Sequence, residues 1–149
     1  MLSVLSDDYF MQQALKEADK AIEAGEVPVG AVIVCNNQII ARAYNQTEIL
    51  NDVTAHAEIL AITAASTHLG NKYLKECTIF VTLEPCPMCA SALNWAQIGR
   101  VVYGAPDDKR GFMNYGRSLL HPATKLEFGV LHEKCATIMK EFFKNKRLI

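Results

Sequence analysis

The sequence predicts a three-layer α/β/α protein in which helices cover both faces of a mixed sheet of about five strands. Two observations lead to this prediction. An N-terminal helix-like segment is followed directly by two strand-like segments, which indicates a hairpin. Farther along, short apolar segments alternate with helical ones, which requires crossover connections and therefore parallel pairing. With 149 residues, half of them hydrophobic, we expect residues 1–149 to form a single domain with a substantial core.

The first helix is predicted to begin at Asp7 or Asp8, since either side chain can cap it, and to stop at Gly25. Apolar residues recur between these positions at helical spacing, which indicates a face packed on the core. The two following strands, Val29–Val34 and Ile39–Tyr44, are joined through an Asn-Asn pair that tolerates positive φ. The chain therefore opens with a helix and a hairpin.

Helices and strands alternate in the rest of the chain. The alanine-rich segment at 55–65 predicts a buried helix that begins beside His56. The later predicted elements are a strand at Thr78–Leu83, a helix from Pro87 to about Ala96, a strand at Val101–Tyr103, a polar loop at 106–117, a strand around 126–131 and an amphipathic helix at Glu133–Lys144.

A net charge of −1 conceals an uneven distribution of charge. Residues 1–99 hold five Lys and Arg against eleven Asp and Glu, whereas residues 100–149 hold ten against five. A basic C-terminal third can attract a phosphate backbone although the whole chain is nearly neutral, because the field that acts is local. A solvated helix face with scattered lysines is the competing interpretation, and the charges alone favour it.

Hydropathy and cysteine content indicate in which cellular compartment the protein works. No apolar run approaches the ~20 residues of a membrane-spanning helix, and the N-terminus lacks the basic-then-apolar layout of a secretion signal. We therefore expect a cytoplasmic protein with no membrane partner. Of the five cysteines, two belong to the motif described next. The others, Cys35, Cys77 and Cys135, are predicted to be reduced core residues.

Two short segments carry the chemistry: Thr-Ala-His-Ala-Glu at 54–58 and Glu-Pro-Cys-Pro-Met-Cys at 84–89. They offer His56, Cys86 and Cys89 as zinc ligands, and Glu58 as a carboxylate that need not be a ligand. Three protein ligands leave the fourth position of a tetrahedral zinc open, which is typical of a catalytic site. Zinc in such a site lowers the pKa of a bound water to about 7, so that hydroxide is available at neutral pH.

The spacing of the four residues suggests their roles. If Pro87 opens a helix, Cys86 and Cys89 project from its first turn, where the helix dipole favours thiolate over thiol. His56 and Glu58 stand two positions apart, which is about 200° around a regular helix, so both cannot grip one metal. We therefore take His56 as the ligand and Glu58 as general acid and base. Either an irregular first helical turn or a lateral approach would bring Glu58 to the site.

Each half of this motif has a simpler interpretation by itself. A single Cys-x-x-Cys occurs in redox pairs and in four-ligand structural zinc sites. A single histidine is more often a surface or hydrogen-bonded core residue. The combination is more specific, because His-x-Glu followed at a distance by Pro-Cys-x-x-Cys is the signature of the zinc nucleobase deaminases. Two helix N-termini that meet at the carboxyl edge of the sheet would make one metal pocket.

The likeness to one family extends over nearly the whole chain, in order. The chain resembles the bacterial tRNA-specific adenosine deaminases, of the cytidine deaminase-like superfamily, at Glu-Val-Pro-Val-Gly-Ala-Val (26–32), Asn45, both motif segments, Ile-Gly-Arg-Val-Val-Tyr-Gly-Ala (98–105) and the Phe-Phe-Lys-Asn-Lys-Arg ending. The resemblance implies a cytidine deaminase-like fold, one zinc per subunit, and hydrolysis of adenosine to inosine at the wobble position of a tRNA anticodon stem-loop. It also implies a homodimer whose active sites are lined partly by the neighbouring subunit.

The resemblance further implies substrate contacts. Asn45 matches a family position that contacts the base, and a buried amide can both donate to and accept from a purine edge. From the residue alone, a loop asparagine bonded to its own backbone fits equally well. Asp107 falls where the family carries an RNA-contacting acidic residue. Weaker candidates for phosphate contacts are Lys109, Arg110 and Arg117.

Two other functions fit the same metal motif. A deaminase of guanine, or of another free nucleobase or nucleoside, would share all four motif residues, and Trp95 resembles tryptophan-containing segments of guanine deaminases. A noncatalytic, zinc-stabilised RNA-binding subunit would use the basic C-terminal third. That subunit needs a fourth protein ligand, however, and it leaves Glu58 without a chemical role. The remaining histidines, which have no evident ligand partner in the sequence, are His68, His121 and His132.

Overall fold

The structure, a computed structural model, describes residues 5–147. Within this range the helices and strands follow the order α1, β1, β2, α2, β3, α3, β4, β5, α4. Their bounds are Asp7–Glu23 (α1), Gly30–Cys35 (β1), Gln38–Tyr44 (β2), Ala57–Leu69 (α2), Cys77–Leu83 (β3), Pro87–Trp95 (α3), Arg100–Ala105 (β4), Lys125–Phe128 (β5) and His132–Arg147 (α4). Two single-turn 3-10 helices, Phe112–Asn114 and Arg117–Leu119, interrupt the predicted polar loop.

The five strands form one mixed sheet in the order β2-β1-β3-β4-β5. β1 pairs antiparallel with β2 and with β3, whereas β3, β4 and β5 are parallel to one another. The hairpin turns at Asn36 and Asn37, whose φ angles of 53° and 61° lie in the left-handed region that this turn requires. The mixed five-stranded sheet and its opening hairpin are therefore confirmed.

Helices cover the sheet on both faces. Along β1, Ala31 and Ile33 face the core cluster that includes α2 and α3, whereas Val32 and Val34 face the cluster that includes α1 and α4. This alternation follows from the two-residue period of a strand. The three-layer α/β/α arrangement is thus confirmed, with α1 and α4 in one outer layer and α2 and α3 in the other.

α1 approaches β1 very closely at Gly30, the first residue of that strand. A Cβ at this position would collide with the carbonyl oxygen of Ala14 and the amide nitrogen of Ala18, which are both main-chain atoms of α1. A residue without a side chain is therefore required where the strand passes the helix. The close approach explains the glycine that ends the Glu-Val-Pro-Val-Gly segment.

The start of α1 corrects one prediction. Ser6 caps the helix, since its hydroxyl accepts a hydrogen bond from the N–H of Tyr9 at 3.2 Å. Asp7 and Asp8 lie in the first turn instead, where their charges still favour the positive end of the helix dipole. The prediction failed because serine and aspartate are about equally good caps, so three adjacent candidates cannot be ranked from the sequence.

Two further predictions need correction. β5 ends at Phe128 instead of near 131, because Gly129 follows with a positive φ of 91°. Cys35, Cys77 and Cys135 are reduced, as expected, but only Cys77 and Cys135 are fully buried. Cys35 is half-buried because it is the last residue of β1.

Some predictions reach beyond the described residues. The single domain predicted for 1–149 includes 1–4 and 148–149, which lie outside the described range, and the single domain stays a prediction. Among the helices of residues 5–147, we find none that combines the length and the apolar content needed to cross a membrane.

Candidate active site

The predicted metal ligands lie at the starts of two helices. His56 is the N-cap of α2 and Cys86 is the N-cap of α3, and both have extended backbones with φ of −73°. Pro87 takes the first position of α3, so Cys89 falls in the first turn, where it is fully buried. Since β3 ends at Leu83, three residues before Cys86, the site lies at the carboxyl end of a sheet strand.

The three side chains converge on one point. Nδ1 of His56 is 3.7 Å from Sγ of Cys86 and 3.5 Å from Sγ of Cys89, and the three donor atoms lie within 4.8 Å of one another. A tetrahedral zinc, with its usual Zn–N and Zn–S bond lengths, separates an imidazole nitrogen from a thiolate sulfur by about 3.6 Å. One imidazole and two sulfurs at these separations fit zinc.

The contacts among the three side chains shift the pKa values of the two thiols in opposite directions. A hydrogen bond from Cys89, together with the neighbouring His56, lowers the pKa of Cys86 to about 4. The contact with Cys86 raises the pKa of His56. For Cys89, its own hydrogen bond with Cys86, together with burial, raises the pKa of the thiol. A divalent cation would remove the proton from Cys89, since a coordinating thiol is deprotonated outright.

Glu58 reaches this pocket because α2 starts irregularly. The 200° separation of a regular helix does not apply to His56 and Glu58, since His56 has an extended backbone and Glu58 is the second helical residue. Glu58 is only 3% exposed, and burial raises the pKa of its carboxyl to about 7. A group with such a pKa can both take up and release a proton near neutral pH.

The described residues hold no fourth ligand at this point. His56, Cys86 and Cys89 form the group of potential metal ligands found within residues 5–147, and no further His, Cys or carboxylate belongs to it. Three donors are the number expected for a catalytic zinc with an open fourth position, and that open position stays a prediction. Their roles as ligands stay a prediction.

A cleft of about 1020 Å³ opens from the metal pocket. His56, Glu58 and Cys86 contribute to its wall, and so do both predicted substrate contacts, Asn45 and Asp107. Asn45 follows β2 and is 7% exposed, whereas Asp107 follows β4 and is half-buried. Residues from four separate segments of the chain therefore meet in one cavity.

The weaker candidates for phosphate contacts divide into two groups. Lys109 and Arg110 are exposed and line the cleft, and their backbone N–H groups donate to the carboxylate of Asp107 at 3.2 and 3.1 Å. Arg117 turns towards its own loop, where its guanidinium donates to the carbonyls of His121 and Thr124. Arg117 thus holds a loop together and is not among the cleft-lining residues.

Sequence reasoning missed two buried carboxylates that hold the loops beside the cleft. Glu26 is 1% exposed and accepts hydrogen bonds from the N–H groups of Glu48, at 3.1 Å, and Ile49, at 2.7 Å. Glu84 is 6% exposed and holds the loop after β4 in the same way. The available signal was a glutamate flanked by apolar residues and proline, since a buried charge needs partners.

The basic face of α4 was also missed as part of the site. Met139, Lys140, Phe143 and Lys144 line the same cleft as His56, Glu58 and Cys86. The sequence predicted an amphipathic helix here but not which side of it meets the cleft. Two lysines four residues apart, with an aromatic residue between them, were the available signal for a nucleic-acid surface.

Comparison with known proteins agrees with this geometry. Residues 5–105 match the family model of the cytidine and deoxycytidylate deaminase zinc-binding region. A tRNA-specific adenosine deaminase of Agrobacterium fabrum is 45% identical over 145 residues, which cover 94% of this chain and 95% of that protein. A relative of the same name from Bacillus subtilis is also 45% identical, over 95% of this chain and 91% of the relative.

Solved structures show the same fold. A structure from a study of A-to-I editing by tRNA:A34 deaminases at the wobble position of transfer RNA has a TM-score of 0.82 and 44% identity, covering 87% of this chain and 98% of its own. A guanine deaminase from Bacillus subtilis is more distant, with a TM-score of 0.65 and 40% identity over 68% of this chain and 65% of its own. The chain therefore belongs to the tRNA-specific adenosine deaminases, within the zinc-binding cytidine and deoxycytidylate deaminase family.

Proposed function

We propose that this protein is a zinc-dependent hydrolase that converts adenosine to inosine at the wobble position of a tRNA anticodon stem-loop. The observation that supports the proposal most directly is one continuous cleft. Glu58, His56 and Cys86 line this cleft together with basic side chains of two different segments. A nucleobase extruded from an RNA loop can approach Glu58 while its neighbouring phosphates meet the basic side chains of the cleft.

The proposed cofactor is one zinc ion per chain, held by His56, Cys86 and Cys89. When bound, zinc supplies Lewis acidity, which makes a water molecule a stronger acid and nucleophile. The three donors lie at two helix N-termini, His56 at α2 and both cysteines at α3. The dipole of α3 stabilises negative charge on the two sulfurs.

The proton chemistry is assigned to Glu58. Its buried carboxylate takes a proton from the attacking water and delivers it to a ring nitrogen of adenine. It then takes the second proton from the hydroxyl added at C6 and delivers it to the departing amino group, as the C6 oxygen becomes a carbonyl. The pKa of about 7 suits both directions of transfer, because the group is neither too weak a base nor too weak an acid near neutral pH. The overall reaction consumes one water and releases one ammonia.

Recognition of the base is assigned to Asn45. Its amide can donate to and accept from a purine edge at once. Its position on the cleft wall fits this role, since its backbone is anchored by a hydrogen bond from its own N–H to the carbonyl of Val29 at 3.1 Å. Asp107 is assigned to the RNA strand beside the reacting base.

We also propose that the protein works in the cytoplasm as a homodimer. α3 offers a surface for this contact, since Met88 and Trp95 lie seven residues apart on one helix face and are 37% and 83% exposed. Exposed apolar side chains on one face of a helix are typical of protein interfaces. Because the N-terminus of α3 carries Cys86, a partner on this helix would lie close to the metal pocket.

The test is to incubate the purified protein with an anticodon stem-loop that carries adenosine at the wobble position, and separately with guanine. We expect inosine in the RNA by mass spectrometry and little ammonia from guanine. A stem-loop with adenosine moved one position away from the wobble site is the matched control. No inosine together with rapid ammonia release from guanine would overturn the proposal in favour of a guanine deaminase.

A further inference from the structure

We infer that Glu84 is a positioning residue that holds the RNA-facing loop of the cleft against the metal-ligand segment. The inference rests on the proposed function and concerns the loop at 106–113, called the rim loop here. The rim loop carries Asp107, Lys109 and Arg110, all of which line the cleft. Its placement therefore decides whether these side chains can meet an RNA strand.

The carboxylate of Glu84 joins the two ends of the rim loop. Oε1 accepts a hydrogen bond from the N–H of Asp107 at 3.0 Å, and Oε2 accepts one from the N–H of Met113 at 3.0 Å. Hydrogen bonds to a charged acceptor are stronger than neutral ones, and here they form in a buried environment. A single side chain thereby fixes both ends of a segment whose central residues 108–110 are exposed.

Backbone contacts tie the same loop to the residues next to Glu84. The N–H of Phe112 donates to the carbonyl of Pro85 at 2.9 Å, and the N–H of Glu84 donates to the carbonyl of Ala105 at 2.8 Å. Glu84 thus holds the rim loop by its side chain, and Pro85 holds it by its main-chain carbonyl. Cys86, the third consecutive residue, is a candidate zinc ligand.

Gly111 shows how tightly the loop packs on this carboxylate. A Cβ at position 111 would collide with Cδ and Oε2 of Glu84 and would lie 2.6 Å from the carbonyl oxygen of Asp107. Its φ of −66° is ordinary, so alanine there would introduce steric contact without backbone strain. A substitution at Gly111 can therefore displace the rim loop while the carboxylate of Glu84 is kept.

The first variant is Glu84→Gln, which keeps the size of the side chain. Its amide nitrogen faces a backbone N–H donor, so one of the two loop hydrogen bonds is lost. We expect KM for the stem-loop to rise about 10- to 100-fold with a much smaller change in kcat, because displaced RNA contacts weaken binding of the ground state and the transition state alike. Bound zinc should equal that of the parent protein.

The matched control is Glu17→Gln. Glu17 is another buried glutamate, 3% exposed, whose carboxylate pairs with Lys20 on α1, and it does not line the cleft. We expect this variant to lower thermal stability but to leave KM near that of the parent. A second variant, Gly111→Ala, should reproduce the KM effect of Glu84→Gln while the carboxylate is kept.

Hydrogen exchange gives a readout that does not depend on activity. In Glu84→Gln, the amide of Asp107, that of Met113 or both should exchange faster than in the parent, whereas those of β1 should not. Unchanged exchange at both amides, an unchanged KM, or loss of zinc would each overturn the inference. A parent protein that fails to deaminate the stem-loop would overturn the proposed function instead, and the exchange experiment would still decide the role of Glu84.

Discussion

Three buried glutamates show how the surroundings of a side chain decide its use. Glu26 and Glu84 accept hydrogen bonds from loop N–H groups and so hold the cleft walls in place. Glu58 lies beside Cys86 and Cys89, and burial brings its pKa to about 7. The sequence identified Glu58 because a known motif contains it. It missed the other two because their partners are backbone groups, which any residue provides.

The role of Glu58 can be tested by Glu58→Ala. We expect deamination of the stem-loop to fall at least ~10²-fold, the lower range of general acid–base effects, because the variant lacks the carboxylate to which proton transfer is assigned. Fold and bound zinc should be retained, since Glu58 is not among the converging donor atoms. Circular dichroism and metal analysis of the purified variant provide the controls. Unchanged turnover would remove Glu58 from the mechanism.

At the scale of elements, sequence patterns identified the helices and strands but not what each one faces. Pro87 and the Cys-x-x-Cys spacing were sufficient to predict the start of α3, because proline favours the first helical turn. The irregular start of α2 was one of two possibilities, since an N-cap conformation depends on the loop before it. The cleft side of α4 was not predictable, because helical periodicity does not tell which tertiary neighbour meets a polar face.

The lysines of α4 give a prediction on this scale. Lys140→Ala and Lys144→Ala should each weaken binding of the stem-loop and reduce the slope of log K against log salt by about 1, if each lysine contacts one phosphate. Binding would be measured by fluorescence anisotropy between low and physiological salt. Lys16→Ala is the matched control, since Lys16 is exposed on α1 and does not line the cleft. Equal slopes in all three variants would contradict the assignment.

At the scale of the whole molecule, the order of the strands brings the site together. Asn45, Cys86 and Asp107 follow β2, β3 and β4, and they meet in one cleft because these three strands end at the same edge of the sheet: β2 and β3 both run antiparallel to β1, and β4 runs parallel to β3. The three-layer fold was predictable from alternating elements. The strand order was not, because apolar strands of similar length do not specify their neighbours.

The proposed homodimer gives a prediction on the same scale. Trp95→Glu should convert the dimer to a monomer in light-scattering measurements, because it places a charge in the centre of an apolar contact. Ile22→Glu, on α1 in the opposite layer, is 43% exposed and should leave the dimer intact. A parent protein that is monomeric at micromolar concentration would contradict the assembly.

The close approach of α1 to β1 also bears on which mutations the protein can tolerate. Around Gly111 part of the obstruction is a glutamate side chain, which a second mutation can shorten. Around Gly30 the nearest atoms belong to the backbone of α1, and no amino-acid substitution can remove backbone atoms. In a saturation library, position 30 should therefore accept no replacement, and second-site suppressors within α1 should not rescue one.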